Sequence, residues 1–211
     1  MIYKDRVSAG RALAKRLSDF KNTNVVVLAL PRGGVPVAYE VAREINAPLD
    51  VIVVRKLGVP FQAELAMGAV GEGGVVVRNE QVIQMARISS EQFEDARLRE
   101  LEEVANRASK FREGRPAANI ANHQALIVDD GIATGSTAQA ACEVARQLGA
   151  EKVILAVPVG SREAIETLSK IADQVICLEV PENFFAVGEW YEDFSPVLDH
   201  DVVQLLRKSY T

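Results

Sequence analysis

Little in this sequence favours transition-metal or disulfide chemistry. Among 211 residues there are two cysteines and two histidines, and the spacing of Cys142, Cys177, His123 and His200 forms neither a zinc site nor a disulfide framework. Both thiols are expected to be buried. No apolar run reaches the roughly 18–20 residues needed to cross a bilayer, and "MIYKDRVSAGRALAKRL" is amphipathic rather than a charged leader followed by an apolar block. A soluble, cytoplasmic protein without a membrane partner is expected. A basic surplus is missing too: 24 Lys and Arg stand against 29 Asp and Glu, a formal charge of −5. Nucleic-acid binders usually need a basic face to neutralise phosphate, so no nucleic-acid partner is expected. What is present is ordinary globular material, 48% hydrophobic and 25% charged, enough for one domain with a sizeable core.

Val- and Ile-rich runs at 25–30, 51–54, 125–128, 153–157 and 175–178 read as buried strands. Helical patterns follow most of them, at 35–45, 136–148 and 162–171. Alternating strand and helix predicts an α/β fold with a mostly parallel central sheet and helices on both faces. The core is expected over about 20–57 and 120–180 of a single domain spanning 1–211. Between them, an insert over about 58–119 is too long for a plain connection. Its first part, "AMGAVGEGGVVVRNEQVI", reads as a hairpin or flap. Its second, "SSEQFEDARLRELEEVANRASKFRE", reads as a helix with a capping box at Ser89 and Gln92 and a stripe of Phe93, Leu101, Val104, Ala108 and Phe111. A small hood is expected over about 181–198, where Phe184, Phe185, Trp190, Tyr191 and Phe194 crowd together.

In sheets of this kind ligands sit beyond the carboxyl ends of the strands. There "LIVDDGIATGSTAQAA" runs from a buried strand through Asp129 and Asp130 into a turn, Gly131, Ile132, Ala133, Thr134 and Gly135, and then a helix opening at Ser136 or Thr137. Free amides at a helix start, with the Thr134, Ser136 and Thr137 hydroxyls, suit a phosphate. The carboxylates instead suit hydroxyl groups or the water shell of a cation. A sugar phosphate offers both. An ATP-binding P-loop does not fit, because Gly131 and Gly135 are four apart and Ser136 stands where a lysine belongs. A plain turn capped by Asp explains one acid and one hydroxyl but not the whole pattern. A second turn, Leu30, Pro31, Arg32, Gly33 and Gly34, follows the first strand, and Arg55 and Lys56 follow the second.

"LIVDDGIATGST" resembles the 5-phosphoribosyl 1-pyrophosphate signature of the type I phosphoribosyltransferases, whose alternating core is similar to residues 25–178. That resemblance implies that Asp129 and Asp130 hold the ribose 2- and 3-hydroxyls, and that residues 131–137 hold the 5-phosphate. Pro31, Arg32, Gly33 and Gly34 are similar to the family's pyrophosphate loop, with Arg55 and Lys56 as further basic contacts. The "VPENFFAVGEWYEDF" tail resembles the purine-holding segment of hypoxanthine-guanine phosphoribosyltransferases, which implies that Phe185 stacks on a flat base near the Ala186 and Val187 backbone. Two features depart from those enzymes: Ala133 stands where they carry an aspartate, as in adenine and orotate members, and "QVICLEV" lacks their purine-contacting lysine. Along its whole length the chain most resembles bacterial phosphoribosyltransferases of unassigned acceptor.

The implied reaction moves phosphoribose from the diphosphate to a nitrogenous, purine-like base. Arg32, Lys56 and Asp130 are expected to act on the reacting sugar and its leaving group, with Mg²⁺ bound mainly through substrate rather than by protein metal ligands. A flap over "LGVPFQAELAMGAVGEGG" is expected to exclude water, with Glu64 and Glu72 as candidate acid or base groups. The family's habit implies a homodimer. Two other functions remain open: a non-catalytic sensor of the sugar diphosphate, and the ATP-dependent synthetase that makes it.

Overall fold

The structure, a computed structural model, describes residues 2–210 apart from the side chains of Ala63 and Glu64. Five short apolar segments form the central parallel sheet: β1 (Val25–Ala29), β2 (Leu49–Val51), β6 (Gln124–Val128), β7 (Lys152–Val159) and β8 (Gln174–Glu179), in the order β2-β1-β6-β7-β8. Every residue of β1 is buried, as a strand covered on both faces must be. Val25, Val27, Ala29, Leu126 and Val128 belong to one core layer, and Val26, Leu28, Ala125 and Ile127 to the other. The first layer is covered by α1 (Arg6–Arg16), α2 (Gly34–Ile45), α4 (Ser90–Arg112) and α7 (Asp199–Ser209); the second is covered by α5 (Ser136–Gln147) and α6 (Arg162–Leu168). The α/β architecture read from the sequence is the one observed.

Strand order places the site. From β1 the chain moves outward to β2, whereas from β6 it moves the other way to β7 and β8, so the direction of winding switches between β1 and β6. Helices diverge at such a point and leave a crevice beyond the carboxyl ends of the two strands. Ala29 pairs with Val128, so the turns that follow β1 and β6 leave the sheet side by side and at one level.

The second core strand differs from its predicted 51–54. It ends at Val51, and β3 (Val54–Val59) starts a separate antiparallel sheet with β4 (Gln62–Gly71) and β5 (Val76–Arg78). Ile52 N–H still bonds Ala29 on β1, but the Val53 N–H donates 2.9 Å to Glu72 Oε1, and there the backbone leaves the parallel ladder. Hydrophobicity stays uniform through the junction, so periodicity cannot mark where the partner strand changes. The expected hairpin is present, and β3 makes it a three-stranded meander. α3 (Glu80–Met85) leads to α4, whose N-terminus carries the Ser89/Gln92 capping box and whose buried side includes Phe93, Val104, Ala108 and Phe111. Helices α1 and α7 lie outside the predicted elements. No described helix is long and apolar enough to cross a membrane.

Candidate active site

After β6 the chain enters a turn tied down by main-chain bonds. Ile132 N–H donates to Val159 and Ser161 N–H to Ile132, both at 2.9 Å, and the Ser161 hydroxyl donates to the Ala133 carbonyl at 2.6 Å. Gly131 and Ile132 are buried, so Ile132 serves the core with its side chain, while Ala133, Thr134 and Thr137 face solvent and Gly135 and Ser136 are half-buried. The Thr134 and Ser136 hydroxyls lie 3.3 Å apart. Gly135, at φ 77°, starts α5 with no side chain capping it. The amides of the first turn of this helix are thus left to water or a ligand, as an anion site requires.

The turn after β1 also lacks a side-chain cap, although its Gly34 and Val35 N–H groups donate to the Leu30 and Arg32 carbonyls at 3.0 and 3.1 Å. Gly33 precedes α2 without a side-chain cap, and the Pro31–Arg32 peptide is cis. The two turns touch. A Cβ on Gly33 would stand 2.1 Å from Asp130 Oδ2, and one on Gly34 would stand 2.7 Å from the Val128 carbonyl oxygen. Glycine is needed at both positions because any side chain would fill the space between the strand ends. Half-exposed Arg32 reaches Asp199 at the start of α7 at 3.4 Å, and Lys110 of α4 pairs with the same carboxylate at 2.7 Å.

The two acids differ. Asp129 Oδ1 accepts the Asp130 N–H at 2.8 Å; burial, then the adjacent Asp130 carboxylate, push the Asp129 carboxyl well above its ordinary range. Asp130 is gripped by residues that the sequence reading missed. Its Oδ2 accepts from Arg6 Nε of α1 at 2.7 Å, and its carbonyl accepts the Tyr191 hydroxyl. Burial and Asp130 push the Tyr191 hydroxyl far up, so it stays a donor. Arg6 lies 124 residues from Asp130 in sequence and Tyr191 lies 61 from it, so no local pattern joins them. The one readable signal was the Asp5/Ser8 capping box that starts α1 and turns Arg6 into the fold.

Other predicted positions scatter. Arg55 and Lys56 sit on β3, not at the edge of the main sheet, and on opposite faces of it. Arg55 pairs with Glu100 of α4 at 2.7 Å. Lys56 lines a cleft of about 430 Å³ with Ser136, Gln139 and Glu143 of α5, so of the two only Lys56 approaches the start of α5. Phe185 is 82% exposed and Ala186 is exposed, whereas Val187 packs so close to Gly131 that a Cβ there would lie 2.5 Å from it. Of the tail positions, then, it is Val187 that meets the loop. Glu72 is not a free acid or base: it bonds Arg112 and the Val53 amide. The Glu64 side chain lies outside the described residues.

Two turns without side-chain caps and an acid pair thus meet at the switch point of a parallel α/β sheet, the place where sheets of this kind hold ligands. The family pattern described as a phosphoribosyl transferase domain matches residues 3–193, and the chain belongs to that family. The "Putative phosphoribosyl transferase Rv0571c" of Mycobacterium tuberculosis (strain ATCC 25618 / H37Rv) is 50% identical over 209 residues, 99% of this chain and 47% of that protein. The chain thus spans about half the length of the curated relatives it matches. The crystal structure of TT1426 from Thermus thermophilus is similar over 99% of both chains, with a TM-score of 0.89 and 42% identity. A stretch of 52 residues, 24% of this chain and 19% of the other, is 52% identical to ribose-phosphate pyrophosphokinase from Pyrococcus furiosus.

Proposed function

We propose that this chain transfers the 5-phosphoribosyl group of 5-phosphoribosyl 1-pyrophosphate to a purine-like base and releases pyrophosphate. The observation that carries the reading is the contact between the two glycine turns, with Asp129 and Asp130 standing where they meet. A ligand with phosphate at one end, diphosphate at the other and a diol between them matches that order of groups. The uncapped amides of α5 take the 5-phosphate, the acids accept the ribose hydroxyls, and the Pro31–Gly34 turn takes the diphosphate.

In the reaction the bond from the anomeric carbon to the diphosphate oxygen breaks, a bond from a ring nitrogen of the base forms, and that nitrogen loses its proton. The ring passes through an oxocarbenium-like state while charge gathers on the leaving group. Arg32 suits the stabilisation of that charge: its pair with Asp199 is long and exposed, of a kind worth little in water, so it can exchange that carboxylate for the diphosphate. Lys56 is assigned to the 5-phosphate side of the cleft. Mg²⁺ carried on substrate oxygens and water would supply charge that neutralises the diphosphate.

A sensor that binds the sugar diphosphate without turnover is the second reading. It is favoured by Glu72, a candidate flap acid that is tied to Arg112 and to the Val53 N–H instead of standing free. A screen of free bases for pyrophosphate release with Mg²⁺ present separates the two. Release with a purine-like base is expected. Calorimetric binding with no release for any base would favour the sensor, and AMP formation from ATP and ribose 5-phosphate would make the chain a synthetase.

A further inference from the structure

Asp130 is held at three of its polar atoms. Its N–H donates to Asp129 Oδ1 at 2.8 Å, its carbonyl takes the Tyr191 hydroxyl, and its Oδ2 takes Arg6 Nε at 2.7 Å. Among the described residues no basic side chain or backbone N–H bonds Oδ1, whose neighbour is the Asp129 carboxyl. Arg6 is itself fixed from two further directions: its guanidinium lies 3.9 Å from the centre of the Phe194 ring, and its Nη1 donates to the Ser195 carbonyl at 2.8 Å. Ser195 is held in turn by Asp193, through both N–H and hydroxyl. The side chains of Arg6 and Asp130 are only 11% and 13% exposed, so this is a nearly buried ion pair whose geometry is imposed by packing, not a surface contact that water can loosen.

We propose that Arg6 is a positioning residue for sugar recognition: by taking Oδ2, the Asp130 oxygen nearer Gly33, it fixes the plane of the carboxylate beside Asp129 and so holds Oδ1 in one place as an acceptor for a ribose hydroxyl. The inference rests on the assignment of a phosphoribosyl ligand made above. Its physical content is selectivity. A carboxylate free to rotate accepts from hydroxyl or water alike, whereas one clamped at a single edge rewards a hydroxyl at one place. Removing a partner from a polar site built for it costs far more than removing an apolar group. The clamp belongs to the C-terminal segment as much as to α1, because Phe194 and Ser195 hold the cation in place.

The test compares ribose 5-phosphate, 2-deoxyribose 5-phosphate and Mg²⁺-pyrophosphate by titration calorimetry, on the wild-type chain, Arg6→Gln and Arg6→Lys. The wild type is expected to prefer the ribose compound by about tenfold or more, the value of a hydrogen bond to a charged group. In Arg6→Gln that ratio should fall to within about threefold, with pyrophosphate affinity unchanged because the diphosphate turn does not use Arg6; Arg6→Lys should restore part of it. A wild-type ratio retained in Arg6→Gln overturns the inference. If Arg6→Gln does not fold, Phe194→Leu keeps the cation and removes its ring; its ratio should fall in the same direction, and an unchanged ratio overturns the inference equally. Failure of the wild type to bind or to prefer ribose would instead overturn the phosphoribosyl reading on which this one stands.

Discussion

Asp129 and Asp130 are chemically identical neighbours in different surroundings. Among the described residues Asp129 has no cation of its own within bonding distance, and desolvation followed by the Asp130 charge raises its carboxyl. An acid that holds its proton more tightly when folded than its ordinary 3.8 makes folding less favourable as pH rises from that value through the raised one. Asp129→Asn should therefore fold at least as stably as wild type at neutral pH, with an advantage that disappears below about pH 4, read by urea unfolding at several pH values. Its sugar-diphosphate affinity should fall about tenfold. Asp130→Asn should behave in the opposite sense and lose about 3 kcal/mol of stability, because it strands the nearly buried Arg6 cation. Treating the two acids as equivalent, as the sequence alone suggests, misses this asymmetry.

Among elements, the insert is joined to the core by charge. Arg112, at the last turn of α4, bonds both carboxylate oxygens of Asp50 on β2, at 2.8 and 2.9 Å, together with Glu72 and the Val51 carbonyl. Asp50 also accepts the Ala118 N–H at 2.7 Å where the chain returns toward β6. The flap sheet, the long helix and the main sheet therefore share one buried network. Arg112→Met should cost about 3–5 kcal/mol in urea unfolding, since two carboxylates lose their counter-charge, and amides of β3 and β4 should exchange faster as the flap loosens. The helix itself was plain in the sequence, from its capping box and apolar stripe. That its final arginine closes an ion network with strand β2 and with Glu72, in the turn after β4, was not, because the "KFRE" end of a charged helix looks like any solvated face.

For the molecule as a whole, the start of the described chain is tied to residues 190–192, whose Tyr191 bonds the Asp130 carbonyl. Tyr3 N–H donates to Trp190 and Glu192 N–H to Tyr3, each at 2.8 Å, and the Tyr3 and Tyr191 rings lie 5.7 Å apart. A ligand in the crevice would contact turns after β1 and β6 that are braced by α1 and by this C-terminal segment, so its binding energy should appear as global stability. With 5-phosphoribosyl 1-pyrophosphate and Mg²⁺ at about a hundred times the dissociation constant, the midpoint of thermal unfolding should rise by roughly 5–10 °C. Chelation of Mg²⁺ should remove most of that rise, measured by scanning calorimetry.

From the sequence by itself came the α/β class, four of the five core strands near their true limits, the long helix with its cap, and the two turns of the candidate site. Each of these is written in contiguous residues, where burial on both faces, helical spacing or a loop between strand and helix leaves a local trace. Only the tertiary structure decided that β2 stops at Val51, that Arg55 turns to Glu100 while Lys56 turns to α5, and that Arg6 and Tyr191 grip Asp130. Those outcomes depend on which distant side chain arrives to pair a charge or take a hydrogen bond, and hydrophobic period carries no record of such partners.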